Sequence, residues 1–314
     1  MNVAVIDIGT NTVLLLIASF DAKGKITPLV YEQRIPRLGR GVDELRNLQP
    51  EAIQRVLEVL KEYRQIISEY QPARIVVCGT SAVRDAHNRE EFAARVKAET
   101  TFSLEVLSGE DEAYWTYRGA ISGIPDVSGA TVVDIGGGST EIIVGDRTLV
   151  KNTISLDIGS VRLTERFFKH DPPTHPELEA AITLVENELA RPKKFEFQGS
   201  TLVGVAGTAT SLAALAQGLR EFRVEAVTNY HLTLDTVYHL FRTLRAMPAA
   251  HIRELSEVME GRSDVIAAGA LILREIMAHY KFSEMIVSER GVRYGLAIRE
   301  WERTAQQQGV GKTG

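Results

Sequence analysis

Two acidic residues bracket three consecutive glycines in Thr131-Val-Val-Asp134-Ile-Gly136-Gly-Gly138-Ser-Thr-Glu141-Ile-Ile-Val-Gly145. Asp134 and Glu141 are hard oxygen donors of the type that hold Mg²⁺ and its waters. Gly136, Gly137 and Gly138, followed by Ser139, allow positive φ and close approach of a ligand to the backbone. Successive N–H groups in such a turn make a concave site suited to phosphate. Val132, Val133, Ile142, Ile143 and Val144 are β-branched and bounded by glycine, so they read as two buried strands around the turn. A Walker loop and a dinucleotide fingerprint both need a helix after the glycines, and here a strand follows. The local chemistry is that of a Mg-phosphate hairpin. A plain tight hairpin is the competing account of a single glycine triplet.

The pattern occurs twice. Val3-Ala-Val-Ile-Asp7-Ile-Gly9-Thr-Asn11-Thr12 is again strand, acid, glycine turn and polar side chains, with the apolar run Val13 to Ile17 beyond. Asp7 and Asp134 lie 127 residues apart, about the length of one domain. A repeated strand–Asp–Gly–strand unit implies two similar domains facing one cleft.

Three further stretches put reactive side chains at strand ends. Ala73-Arg-Ile-Val-Val-Cys78 leads into Gly79-Thr80-Ser81-Ala-Val-Arg84-Asp85, which sets N–H groups and hydroxyls where ligands bind in open α/β sheets. Arg84 then lies one turn into a helix, where it either faces the ligand or pairs with Asp85 or Glu90. Leu104-Glu-Val-Leu107 precedes Ser108-Gly109-Glu110-Asp111-Glu112, three acids in one helical turn. Such acids complement the helix dipole. One of them aimed at a ligand would orient water for attack on phosphorus, and the sequence leaves both open. Leu202-Val-Gly-Val-Ala206-Gly207-Thr208 is a third strand, turn and helix start. The loop Tyr31 to Gly41 carries Arg34, Arg37 and Arg40; arginine binds two phosphate oxygens at once, and a solvated loop is the equal alternative.

The elements that position these residues follow from periodicity. Pro50 opens a helix with Ile53, Val56, Leu57, Leu60 and Ile67 on one stripe. Asn88-Arg-Glu-Glu91 resembles a capping box. Ser122-Gly-Ile-Pro125-Asp-Val-Ser-Gly129 is rich in breakers and marks a boundary. The expected domains are 1–125, joined by a C-terminal helix 297–314, and 126–296. The αβ alternation gives an α/β class with helices on both faces of mixed or parallel sheets.

With 314 residues the chain can bury two cores. Its 25% charged and 44% apolar residues exclude disordered and fibrous classes. The single Cys78 excludes a disulfide framework and fits a reducing cytoplasm. Asp7 interrupts the first apolar run, so no signal peptide is read, and no run is long enough to span a bilayer. A net charge of −5 gives no case for DNA or RNA, and the seven scattered histidines give none for zinc.

Taken together, these motifs resemble the exopolyphosphatase / guanosine pentaphosphate phosphohydrolase (Ppx/GppA) family, in its short two-domain form. The residues that carry the resemblance are Asp7-Ile-Gly-Thr-Asn-Thr12, Gly79-Thr-Ser-Ala-Val-Arg84, Leu107-Ser-Gly-Glu-Asp-Glu112-Ala, Asp134 to Glu141, Ser155 to Arg166, Gly204-Val-Ala-Gly-Thr-Ala209, Gly261 to Gly269 and Ser288 to Gly295. The fold so implied is a duplicated actin-like (ribonuclease H-like) ATPase fold with two domains flanking a cleft. The implied reaction is Mg²⁺-dependent hydrolysis of terminal phosphoanhydride bonds. The resemblance places the catalytic base on Glu112, with Asp111 in place of the family's first Glu. It places Asp134, Glu141 and Asp7 on metal. Arg84, Asn11, Thr12, Thr80, Ser81, Gly136 to Ser139, Gly207 and Thr208 fall on phosphate. Tyr294 stands where acidic residues are common in the family.

The implied substrate is inorganic polyphosphate, with pppGpp as the alternative; no nucleic acid or membrane partner is expected, and a homodimer stays open. A sugar or acid kinase on the same fold would need an acceptor pocket and its own base, whereas the Glu112 loop has the phosphatase pattern. A sensor without catalysis is opposed by the presence of Glu112, Asp134 and Glu141.

Overall fold

The computed structural model describes residues 1–314 apart from 125, 126, 148, 192–194, 196, 198, 199 and 308–314. The boundary expected at 125/126 falls outside the described residues. In chain order the elements are β1 (Asn2–Ile8), β2 (Val13–Phe20), β3 (Ile26–Arg34), α1 (Val42–Leu45), α2 (Pro50–Tyr70), β4 (Arg74–Gly79), α3 (Ser81–Asp85), α4 (Arg89–Thr100), β5 (Leu104–Val106) and α5 (Gly109–Ile121). Next come β6 (Gly129–Ile135), β7 (Thr140–Asp146), β8 (Val150–Leu156), α6 (Ser160–Phe167), α7 (His175–Leu189), β9 (Thr201–Val205), α8 (Ala206–Ala216), α9 (Val224–Val227) and β10 (His231–Thr233). The chain ends with α10 (Leu234–Leu244), α11 (Ala249–Leu255), α12 (Ile266–His279), β11 (Glu284–Val287) and α13 (Val292–Gln307). They form two compact units, Met1–Gly119 with Val292–Gly314, and Ala120–Gly291.

The first unit holds a five-stranded sheet in the order β3-β2-β1-β4-β5. β1 to β3 are antiparallel neighbours, and β4 and β5 run parallel to β1. Side chains alternate across a strand, and β1 shows this in its packing. Ala4, Ile6 and Ile8 bury against Ile53, Val56, Leu57 and Leu60 of α2. Val3 and Val5 bury on the other face, with Cys78 of β4 and Tyr294, Leu296 and Ala297 of α13. Parity therefore sets Asp7 on the α13 face. Each such fully buried aliphatic side chain contributes about 1.5–3 kcal/mol of transfer free energy. Helix α13 begins at Val292, so Arg293 to Leu296 pack with the first unit rather than with the expected second domain.

The second unit repeats this order as β8-β7-β6-β9-β11, with β10 added antiparallel at the edge. β6 and β7 are antiparallel, and β9 is parallel to β6. Val133, Ile135 and Ile142 face a single core built with α7, α8, α10 and α12. Asp134 projects from the opposite face. Two sheets of strand order 3-2-1-4-5, antiparallel then parallel, make this a duplicated actin-like (ribonuclease H-like) α/β fold. Among the described residues no helix is long and apolar enough to cross a membrane.

Candidate active site

In the first unit the turn between β1 and β2 is closed by the Gly9 amide, which donates to the Thr12 carbonyl at 2.9 Å. Asn11 and Thr12 are half-buried in it. The end of β4 lies beside it, with the Thr80 amide on the Ile8 carbonyl at 3.2 Å. Thr80 and Ser81 are buried there at the start of α3. The sheet's carboxyl edge thus gathers Asn11, Thr12, Thr80 and Ser81.

Position separates the three acids of α5. Glu110 and Asp111 are exposed, and Asp111 accepts from the Ser108 hydroxyl at 2.8 Å while its amide donates to that hydroxyl at 3.0 Å. Those two acids serve the helix start. Glu112 turns inward and is 8% exposed. Arg84 Nη1 donates to Glu112 Oε2 at 2.6 Å and to the Leu107 carbonyl at 3.2 Å. Arg84 forms an ion pair with Glu112 across 28 residues of sequence, which neither reading of its local surroundings named.

Asp7 has neighbours that the sequence did not suggest. Its register partner on β4 is Cys78, whose thiol donates to Oδ1 at 3.9 Å. Arg293, 4% exposed, lies over the Tyr31 ring with Cζ 4.5 Å from the centroid and donates to the Tyr31 hydroxyl at 3.2 Å. Burial pushes the Asp7 carboxyl up to about 6, and Arg293 and the Cys78 thiol act in the opposite direction. Burial and the Asp7 charge push the Cys78 thiol well above its ordinary value, which disfavours a reactive thiolate.

In the second unit the β6–β7 turn has the same closure, the Gly136 amide donating to the Ser139 carbonyl at 3.0 Å. The carbonyls of Gly136 and Gly137 accept from the Ser160, Val161 and Arg162 amides at 2.9–3.0 Å, so the turn is tied to the start of α6. Asp134 and Glu141 are cross-strand partners, and Glu141 in turn pairs with Ser155 of β8. All three side chains therefore share one face. Glu141 is 1% exposed and accepts from the Ser155 hydroxyl at 2.7 Å.

The two hairpins are equivalent in backbone but not in chemistry. Where β7 has Glu141 opposite Asp134, β2 has Leu14 opposite Asp7. The paired carboxylates belong to the second unit alone. Mg²⁺ retains several waters and is commonly bound by one or two carboxylates, so the Asp134–Glu141 pair fits it. Among the described residues no three His, Cys, Asp or Glu side chains converge as a metal site.

The β9–α8 turn brings Gly207 and Thr208 to the same sheet. The Thr208 hydroxyl donates to the Ile135 carbonyl at 3.2 Å and braces β6 against α8. What this turn offers an anion is backbone N–H at the start of an eleven-residue helix. Arg262 lies on Gly207, where a Cβ would come 1.7 Å from its Nη1. Neither Arg262 nor Arg293 was singled out from sequence. Both lie inside motifs that carry the family resemblance, Gly261 to Gly269 and Ser288 to Gly295, and that was the available signal.

Acid–glycine hairpins in two ribonuclease H-like units define a phosphoryl-handling protein of actin-like architecture. The chain belongs to the Ppx/GppA phosphatase family, whose sequence model matches residues 16–304. It is 35% identical to exopolyphosphatase 2 of Mycobacterium tuberculosis, over 94% of this chain and 97% of that one. It is 30% identical to the guanosine-5′-triphosphate,3′-diphosphate pyrophosphatase of Vibrio cholerae, over 93% of this chain and 58% of that one. The crystal structure of the Aquifex aeolicus family member superposes with a TM-score of 0.82 at 36% identity, covering 97% of this chain and 98% of that one.

Proposed function

We propose that this chain is a Mg²⁺-dependent exopolyphosphatase that removes orthophosphate from the end of inorganic polyphosphate. The observation that carries the reading is the inward-turned Glu112 held by Arg84 at 2.6 Å. A carboxylate fixed in this way is suited to orient a water and take its proton as the water oxygen attacks the terminal phosphorus. The new P–O bond forms as the bridging P–O bond breaks, giving orthophosphate and a chain one unit shorter. The N–H groups of the Gly136–Ser139 turn and of the Gly207 helix start are suited to the phosphoryl oxygens. Asp134 and Glu141 would hold Mg²⁺, which when bound neutralises charge on the phosphates. A cytoplasmic site of action fits the buried, free Cys78.

Hydrolysis of the 5′-phosphate of pppGpp is the second reading, supported by the likeness to the Vibrio cholerae protein. Phosphate release from long-chain polyphosphate, tripolyphosphate, pppGpp and ATP, with wild type beside Glu112→Gln, tests both. Release from polyphosphate that falls 10²–10⁴-fold in the variant is the result expected of a general base. A higher kcat/KM on pppGpp would select the second reading, and no release from any of them would overturn both.

A further inference from the structure

Helix α5 carries a hydroxyl that breaks the pattern of the protein's other helical threonines. Thr100, Thr164, Thr183, Thr210, Thr243 and Thr304 each donate the side-chain hydroxyl to the carbonyl four residues back, at 2.6–3.1 Å. That bond is a common way for a threonine inside a helix to satisfy itself. Thr116 stands where it could do the same, and the carbonyl four residues back is that of Glu112. It does not. Thr116 is 0% exposed, and its Oγ1 makes no hydrogen bond to any described residue. Thr100 is equally buried and bonds the Val96 carbonyl at 2.6 Å, so burial alone does not account for the difference.

A buried hydroxyl without a partner is costly, and native proteins seldom keep one. The helix cannot shift to relieve it. A Cβ on residue 295 would come 1.8 Å from the Trp115 carbonyl oxygen, so α13 lies directly against the backbone of α5 at the residue before Thr116. Glu112, Ala113, Thr116 and Tyr117 form the buried stripe of α5. Residues four apart on a helix have Cβ atoms about 5–6 Å apart, and helical side chains lean toward the N-terminus. Thr116 therefore lies over the turn that bears Glu112. The Glu112 carboxylate reaches onward to Arg84, and no direct hydrogen bond joins it to Thr116. A hydroxyl–water–carboxylate link, two hydrogen bonds of about 2.8 Å each, spans such a gap. Internal waters in proteins sit on buried polar groups of this kind.

We propose that Thr116 is a positioning residue for Glu112: its hydroxyl holds an internal water that bonds the Glu112 carboxylate, fixing it from α5 as Arg84 fixes it from α3. The role rests on the phosphohydrolase reading above. A hydroxyl and a water both donate and accept, whereas an arginine only donates. The link therefore serves Glu112 as the carboxylate before it takes the proton of the attacking water, and as the carboxylic acid afterwards. Thr116 acts on kcat rather than on KM.

The test compares wild type with Thr116→Val, which exchanges the hydroxyl for a methyl, and Thr116→Ser, which keeps the hydroxyl. Thr116→Val is also made in a Glu112→Gln background, and all are assayed on long-chain polyphosphate with Mg²⁺. Thr116→Val should lower kcat about tenfold with KM within about twofold, and Thr116→Ser should keep kcat within about threefold of wild type. In the Glu112→Gln background Thr116→Val should lower kcat by less than about twofold, because a group that acts through Glu112 has no base left to position. Full kcat in Thr116→Val would overturn the proposal. So would a tenfold loss in the Glu112→Gln background, which would put the action of the hydroxyl elsewhere. Equal losses in Thr116→Ser and Thr116→Val would also overturn it, by making packing the cause. If wild type releases no phosphate, the phosphohydrolase reading has failed. A crystal structure of wild type then decides the link separately, and does so too if Thr116→Val fails to fold. A water within hydrogen-bond distance of both Thr116 Oγ1 and the Glu112 carboxylate supports it, and the absence of such a water overturns it.

Discussion

Arg84 Nη1 donates to Glu112 Oε2 at 2.6 Å and, through the same nitrogen, to the Leu107 carbonyl at 3.2 Å, so one guanidinium fixes both a carboxylate and the loop before it. Arg84→Ala should lower kcat about 10²-fold by loosening Glu112, with Arg84→Lys intermediate. The same variant takes the cation away from a buried carboxylate, so urea unfolding should show a loss of roughly 1–3 kcal/mol. Full kcat in Arg84→Ala would remove this pair from the chemistry.

Asp134 and Glu141 face each other across β6 and β7, and Ser155 holds Glu141. Wild type should gain thermal stability on titration with Mg²⁺, by about 2.7 kcal/mol at a hundredfold excess over Kd. Asp134→Asn should abolish that gain without substrate present, and Ser155→Ala should shift it to severalfold higher Mg²⁺. Scanning calorimetry reads this independently of turnover. An unchanged Mg²⁺ response in Asp134→Asn would place the ion elsewhere.

Gly207→Ala tests the role of Arg262. The added methyl meets the far end of a flexible side chain, Arg262 Nη1 at 1.7 Å, rather than backbone. The protein should therefore fold with a stability change within about 1 kcal/mol, while the displaced arginine raises KM about tenfold. An unaltered KM would show that Arg262 has no part in binding.

Asp7 makes a pH prediction. Its carboxyl is raised from 3.8 to about 6 in the folded chain, chiefly by burial. Between those values the folded state holds a proton that the unfolded state has lost, so the stability this group confers is full below pH 3.8 and is lost as pH rises through about 6. Asp7→Asn removes that loss. It should match wild type near pH 4 and exceed it increasingly up to about pH 6, with a constant margin above. A margin independent of pH, measured by urea unfolding, would contradict the raised value. The margin is consistent with a functional carboxylate retained at a cost in stability.

Local pattern was sufficient for much of the fold. The stripe on α2, Ile53 to Ile67, is the buried face found in the structure, because 3.6-residue periodicity is a property of the segment itself. The two acid–glycine hairpins were legible for the same reason. A β-branched strand, an acid and a glycine turn specify their conformation within about ten residues, and both turns close with the same hydrogen bond.

Partner choice was not legible, because it is fixed by elements distant in sequence. Whether Glu110, Asp111 or Glu112 turned inward depended on Arg84, which a separate strand and helix deliver. Arg293 reaches the Asp7 face only because parity puts that carboxyl opposite α2, where α13 returns to cover it. The repeat suggested two alike phosphate hairpins, yet strand register set Leu14 opposite Asp7 and Glu141 opposite Asp134. The Thr208 hydroxyl is buried and bonds the Ile135 carbonyl, as a buried polar donor must find a partner. The sequence by itself determined the strands, the turns and the kind of chemistry, since these depend on neighbours along the chain. Only the tertiary structure decided which carboxylates pair, which arginine holds the base and which hydroxyls are used internally. Those outcomes depend on register and packing between segments that the chain order keeps apart.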